Sequence, residues 1–476
     1  MSLQELMYIN GTFTGKDLDQ IEVMNPANHE ILGTVPYGGE KEAKEAIDVA
    51  HRAFQTWKKT SAYERAGLLK QLHRLILRDK ETLAQTMTKE MGKPIVEARG
   101  EVDYAASYVE WYAEEAKRIY GETIPALTAD KRMQVWKKPV GVVGAITPWN
   151  FPLAMITRKM APALAAGCTV LIKPSRESPF TAIHLMKLVH EAGFPKGVVN
   201  LVTGASSAIV GEMMRDSRVR KVSFTGSTAI GKQLIKQSAE TVTKLSLELG
   251  GHAPFIIFDD ANLDKAVEAV IASKFRNAGQ TCVCANRLYV QRSIYDRFVE
   301  RFAEKVGQMR IGDGLEESTE IGPLINEAGL EKVEAQVKDA VKKGAKIVTG
   351  GERLERTGLF FAPTVLRDVD PDMEIMQEET FGPVAPVQVF DEDEEAVELA
   401  NSTPFGLAAY VFTENLSRGI QAIEALDFGI VGWNDGLPSA AQAPFGGMKE
   451  SGYGREGGRE GIEAYLETQY ISIGLS

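Results

Sequence analysis

From residue 140 onward, short apolar runs alternate with amphipathic stretches, and this alternation restricts the fold more than any other feature of the chain. The runs fall at 140–147, Thr169–Lys173, 198–203, Val219–Thr225 and Lys244–Glu248, with helical spacing at Ala154–Ala166 and 180–192 between them. Strands buried on both faces read as unbroken apolar runs, and parallel neighbours need a crossover helix. The pattern therefore predicts a parallel sheet of βαβ units. A second alternating region follows, with strand candidates at 255–258, 287–290, Lys346–Thr349 and Val384–Phe390. Helix candidates at 263–275, 295–306, 327–343 and Asp393–Asn401 lie among them. The fold class is α/β. A chain of 476 residues exceeds one ordinary core, so two or three domains are expected.

Ahead of these regions, residues 7–36 read as short strands broken by the turns Asn10-Gly11 and Asn25-Pro26. Helices are expected over 40–57, after the capping-box pattern Ser61-Ala62-Tyr63-Glu64, and over about 95–119. The last carries Tyr104, Tyr108, Trp111 and Tyr112, which read as core packing. Residues 434–458, rich in Gly, Pro and Ser, read as a loop, and 469–473 as an extended segment that pairs outside its own domain.

Composition narrows the function classes. With 54 basic against 65 acidic residues the net charge is −11, which argues against general nucleic-acid binding. No apolar run approaches the roughly 18 residues of a membrane span, and residues 1–6 show no signal-peptide pattern. Three cysteines make no disulfide framework and suit a reducing compartment, so a cytoplasmic location is expected. The six histidines show no metal-ligand spacing, and no metal is expected.

Ligands of parallel α/β sheets bind beyond the carboxyl ends of the strands, and here those ends are chemically rich. Gly226-Ser227 follows a strand and opens a helix whose amides can hold a pyrophosphate, although such turns are common without a ligand. Lys173-Pro174-Ser175-Arg176 offers a cation, a hydroxyl and a guanidinium to a phosphate or ribose; a solvated basic loop is the competing reading. Glu248 leaves an apolar strand, where burial would raise its pKa towards use as a general base; it reads also as a strand-end surface charge. Asn150 can donate to a developing oxyanion or simply close a turn. Cys282 and Cys284 follow Arg276-Asn277-Ala278-Gly279, where positive potential and small residues suit a nucleophilic thiolate. Burial of both as small apolar side chains is the alternative.

Taken in order, six segments resemble the motifs of the aldehyde dehydrogenase superfamily across roughly residues 7 to 474. They are Thr147-Pro148-Trp149-Asn150-Phe151-Pro152, Lys173-Pro174, Phe224-Thr225-Gly226-Ser227, Glu248-Leu249-Gly250-Gly251, Gly279-Gln280-Thr281-Cys282 and Glu379-Thr380-Phe381-Gly382-Pro383. The resemblance implies a Rossmann-type cofactor domain over 1–250, interrupted by an oligomerisation hairpin at about 120–140. It implies a catalytic α/β domain over 251–440, with 441–476 returning to the cofactor domain and adding an oligomerisation strand. A homo-oligomer, dimer or dimer-paired tetramer, follows from the same likeness. It makes Cys282 the nucleophile, Asn150 and the Cys282 amide the oxyanion donors, and Glu248 the base that activates water. Lys173 would hold the adenosine ribose, Gly226 and Ser227 the pyrophosphate, and Glu379 the nicotinamide ribose. Ile146, Thr147, Pro148, Trp149, Leu249 and Phe381 would line the cofactor path.

One departure and one closer likeness refine this expectation. NAD-preferring relatives commonly have a glutamate where Arg176 stands. Arginine there, with Ser175 and Lys173, suits a 2′-phosphate, so NADP is expected over NAD. The segments Met155-Ile156-Thr157-Arg158-Lys159 and Phe275-Arg276-Asn277 to Cys282-Val283-Cys284 are similar to those of succinate-semialdehyde dehydrogenases. There two arginines and a serine grip the distal carboxylate, and the matching positions are Arg158, Arg276 and Ser439. Either arginine pairing with an internal acid is the competing reading. The implied function is NAD(P)-dependent oxidation of succinate semialdehyde to succinate. The alternatives are a dehydrogenase of glutarate semialdehyde or lactaldehyde, or a non-catalytic nucleotide-binding structural protein. In related enzymes a cysteine at the Cys284 position can form a reversible disulfide with the nucleophile; the spacing here permits that switch and is equally compatible with none.

Overall fold

The computed structural model describes residues 3–475, so residues 1 and 2, on which the reading of the N-terminus partly rests, lie outside the described residues. Two large sheets carry the architecture. The first has eight strands in the order Gly452–Tyr453, Lys244–Glu248, Val219–Thr225, Val142–Ile146, Thr169–Lys173, Val199–Leu201, Met7–Ile9 and Thr12–Thr14. Its five central strands are parallel and its edges antiparallel. Chain order runs outward from Val142–Ile146 in one direction through Val199–Leu201, then resumes on its other flank with Val219–Thr225. The order therefore reverses between these two neighbours, which opens a crevice beyond their carboxyl ends.

The second sheet has seven strands, in the order Lys346–Thr349, Thr364–Arg367, Val384–Phe390, Ala285–Gln291, Ala253–Ile257, Ala408–Phe412 and Ile430–Trp433. All but its first pair are parallel. Two hydrophobic cores pack against the first sheet and another against the second, and Ile462, Tyr465 and Leu466 from the end of the chain join one core of the first. A third, antiparallel sheet joins Glu122–Ile124, Lys131–Pro139 and the terminal strand Leu466–Gly474, the last two paired along nine residues.

Local chemistry accounts for several boundaries. Asn10 and Gly11 both take positive φ, the turn that joins the first hairpin. Ser61 and Glu64 make the reciprocal capping bonds that start helix Ala62–Arg78. The helix expected over 95–119 is Ile95–Glu115, tightening into a 3₁₀ turn at Ala116–Arg118. Helices Lys80–Met91 and Ser206–Arg215, and strands Thr364–Arg367, Ala408–Phe412 and Ile430–Trp433, add to the expected set.

Segment 434–458 departs from its reading as a plain loop. Met448–Lys449 pairs with Phe405–Gly406, beside the second sheet, and Gly452–Tyr453 extends the first. Between them, Ser451 accepts from Gly406 N through Oγ and from Leu249 N through its carbonyl, and its Oγ donates to the Gly250 carbonyl. The segment thus laces the two sheets together over the end of strand Lys244–Glu248. No described helix is long and apolar enough to cross a membrane.

Candidate active site

The segment before Cys282 is backbone chemistry of an uncommon kind. Asn277, Ala278 and Gly279 take consecutive left-handed conformations, with φ of 53°, 54° and 76°. Such a conformation costs a residue with a Cβ about 1–2 kcal/mol. Gly279 also abuts the Gly382 carbonyl, where a Cβ would collide. The strained turn is held from outside: Asn277 N donates to Glu97 at 2.7 Å, and its side-chain amide donates to the Asn150 carbonyl at 3.3 Å. Strain kept in place by neighbours is a mark of functional sites. Asn150 in turn donates Nδ2 to the Gln280 carbonyl at 3.0 Å, which ties it to the loop of the cysteine.

Beside Cys282 lies a cavity of about 340 Å³ lined by Arg158, Arg276 and Ser439 among others. The structure therefore brings Cys282 together with all three residues expected at the substrate's far end. The arginines are not equivalent. Arg158 is buried and ion-paired through Nε to Glu456, and its guanidinium lies 4.1 Å from the Phe445 ring centroid. The expectation of two available arginines needs correction at this position: Arg158 is partly committed to an internal acid. Arg276 Nε is buried without a partner among the described residues.

Helix Ile95–Glu115 forms the opposite wall. Glu97, Glu101 and Tyr104 stand at helical spacing on one face and line the cavity with Lys93. Lys93 is bonded to Glu101 and donates to the Asn150 carbonyl at 2.8 Å, while Glu101 accepts from Leu153 N and Ala154 N, where helix Ala154–Ala166 begins. Sequence reading missed these residues and Glu456, and it treated Tyr104 as core. Glutamates one turn apart within an aromatic stripe were the available signal.

At the sheet crevice, Ile146 ends its strand opposite Lys173 and Phe224. Thr147 Oγ1 is buried without a partner, and Pro148 carries the chain on to Trp149, whose ring meets Phe381 edge-on at 5.6 Å. Beyond Gly226, Ser227 caps helix Thr228–Ser238, and Gly231 of that helix packs against Leu249. Glu379 accepts from Gly251 N through Oε1, leaving Oε2 available. A capped helix N-terminus, an orphaned hydroxyl and an available carboxylate oxygen fit a dinucleotide. Lys173 is buried with Nζ on the Pro174 carbonyl, and Ser175 Oγ accepts from Glu177 N. Arg176 is 71% exposed and, among the described residues, pairs only with its neighbour Glu177, at 3.1 Å.

Burial sets the electrostatics. It pushes the Cys282 thiol up to about 12, against the pull of Arg158 and Arg276 and with the help of Glu379 and Glu248. Burial thus outweighs the expected electropositive pull on the thiol. Burial also raises Glu248 well above the usual carboxylate range, with Glu456 adding to it, and both Glu248 oxygens lack partners among the described residues. Glu379 is raised to about 7 by burial. Cys284 is fully buried and faces Lys274 and Asn286, so a bond to Cys282 would have to draw its sulfur out of those contacts.

A sequence model described as the aldehyde dehydrogenase family matches residues 13–471. The chain belongs to that family. It is 55% identical over 457 residues to the NADP(+) succinate-semialdehyde dehydrogenase GabD of Escherichia coli (strain K12), covering 96% of this chain and 95% of that one. It is 52% identical to a glutarate-semialdehyde dehydrogenase of Pseudomonas putida, covering 98% and 97%. The crystal structure of succinate-semialdehyde dehydrogenase from Burkholderia pseudomallei matches with a TM-score of 0.98 at 50% identity, over 99% of this chain and 98% of that one. The two parallel sheets described above are the aldehyde dehydrogenase fold.

Proposed function

We propose that the protein oxidises succinate semialdehyde to succinate, with NADP as the preferred acceptor. One observation carries this reading: the cavity beside Cys282 is lined by two guanidinium groups and the Ser439 hydroxyl, and one guanidinium has an unsatisfied buried nitrogen. A carboxylate at the far end of the substrate supplies the missing partner. The E. coli relative, whose name states this substrate and NADP(+), supports the same choice.

In this reading Glu248, buried and unpaired, takes the thiol proton, and the Cys282 sulfur adds to the aldehyde carbon. The negative oxygen of the thiohemiacetal is held by the Cys282 backbone N–H and by the second Nδ2 hydrogen of Asn150. Lys173, Ser227 and Glu379 would hold a dinucleotide in the crevice, where it would accept the hydride released as the C–H bond of the thiohemiacetal carbon breaks. Glu248 gives that proton up to solvent and then removes one from the water that attacks the resulting thioester; the departing sulfur takes this proton back, which restores the thiol as succinate leaves.

The same reading assigns 1–250, less the 120–140 hairpin, to cofactor binding and 251–440 to catalysis. Residues 441–476 would return to the first unit and supply the last strand of the three-stranded sheet. Its exposed Trp136, Tyr470 and Ile473 would join copies into a dimer or tetramer. Initial-rate NADPH formation with succinate semialdehyde beside butyraldehyde tests the substrate. A preference of about 10- to 100-fold for the semialdehyde is expected from a charge-assisted contact. Equal rates would keep a dehydrogenase and remove the carboxylate-binding role.

A further inference from the structure

We propose that Cys284 is a peroxide-modification site whose covalent partner is the Lys274 amine, the two joining through a sulfur–nitrogen (sulfenamide) bond. Lys274 ends helix Leu263–Lys274 and is wholly buried. Its Nζ donates to Asn286 Oδ1 at 2.9 Å and to Cys284 Sγ at 3.5 Å, and no carboxylate pairs with it among the described residues. Asn286 Oδ1 also accepts from Cys284 Sγ at 3.4 Å, while Asn286 Nδ2 is buried without a partner among the described residues. One amide oxygen thus draws a thiol and an amine together in a dry site. Buried lysines are normally paired with an acid; the reactive neighbour of this one is a sulfur. The reaction cavity leads to it, because Cys282 and Val283, the two residues before Cys284, line that cavity. A disulfide with Cys282 would instead break both contacts of the Cys284 sulfur.

The chemistry closes with one molecule of hydrogen peroxide as oxidant. Burial raises the Cys284 thiol and lowers the Lys274 ammonium, and each partner opposes the other's shift. Passing the thiol proton to the amine gives a thiolate, the nucleophilic form of sulfur. The thiolate attacks peroxide: an S–O bond forms, the O–O bond breaks, and the departing hydroxide takes the ammonium proton to become water. The free amine then attacks the sulfenic sulfur. An S–N bond forms, the S–O bond breaks, and the second hydroxide leaves as water with a proton from nitrogen. Sulfur loses two electrons and the peroxide ends as two waters. The remaining N–H still has Asn286 Oδ1 as its acceptor.

The test treats the wild type, Cys282→Ser and Lys274→Met with hydrogen peroxide, blocks free thiols, digests with trypsin without reductant and maps the peptides by mass. Cleavage after Arg276 separates Lys274 from Cys284, whereas Cys282 and Cys284 stay together in peptide 277–287. The expected product is a link between those two peptides, two hydrogens lighter than their sum, in both the wild type and Cys282→Ser. It should be lost in Lys274→Met and on treatment with dithiothreitol. A bond confined to peptide 277–287 of the wild type, with no link to Lys274 in Cys282→Ser, overturns the proposal in favour of a disulfide. Cys284 recovered only as free thiol or as an oxyacid, after peroxide has abolished activity, overturns it as well. Cys282→Ser retains Lys274, Cys284 and Asn286, so the outcome does not depend on how Lys274→Met folds.

Discussion

Arg158 and Arg176 are the same side chain in opposite surroundings. In the reaction cavity Arg158 is 2% exposed, and it shares Glu456 with the buried Lys159. At the far edge of the cofactor crevice Arg176 is 71% exposed and leans on the adjacent Glu177. Charges withdrawn from water interact strongly and tolerate no missing partner, whereas exposed pairs contribute at most about 1 kcal/mol. The cavity is therefore electrostatically rigid and the cofactor edge adaptable. Substrate choice, on this view, is built into the fold, and cofactor choice sits on its surface.

The largest expected effect tests that contrast through stability. Glu456→Gln leaves Arg158 and Lys159 as buried cations without an anion, at a cost of about 3–5 kcal/mol. Arg176→Ala should change stability by less than about 0.5 kcal/mol. Denaturant unfolding of both variants decides it, and similar losses would erase the contrast. The pH dependence has a definite sign. Burial opposes ionisation of Glu456, but Lys159 and Arg158 prevail and hold its carboxyl at about 2. Because the folded value is depressed, the contribution is present above the ordinary glutamate range and is lost as pH falls towards 2.

Next in size is the response of Arg276, the arginine not committed to an acid. Arg276→Ala should raise KM for succinate semialdehyde by about 10- to 100-fold, with butyraldehyde nearly unaffected. Parallel losses for both aldehydes would assign Arg276 to holding the strained turn of Asn277 and Ala278 instead.

These residues also show what a sequence can and cannot disclose. The two sheets were legible because buried parallel strands leave unbroken apolar runs, as at Thr169–Lys173 and Val219–Thr225. The strand-end motifs were legible because their residues are contiguous. Glu456 was not, since it reaches Arg158 across 298 positions from a Gly-rich stretch with the texture of a loop. Glu101, on a helix, and Lys93, in the turn before it, were hidden for a different reason: charged residues are usually solvated, and only the packed structure turns these two inward. The balance at Cys282 was hidden because nearby arginines can be counted in a sequence, while desolvation cannot.

The smallest effect couples the two regions through a single neighbour. Lys173 is lowered to about 8, chiefly by burial and secondly by the charge of Arg176. It is therefore a cation below that pH and loses its charge as pH rises through it. If Lys173 meets the cofactor as a cation, kcat/KM for NADP should decline roughly 3- to 10-fold between about pH 7 and 9, and kcat/KM reports groups of the free enzyme. Arg176→Ala removes one of the two causes, so the break should move to higher pH even as NADP loses its advantage over NAD. A break that stays in place would mean the exposed guanidinium is screened from the buried amine. The cofactor edge would then be electrostatically independent of the crevice it borders.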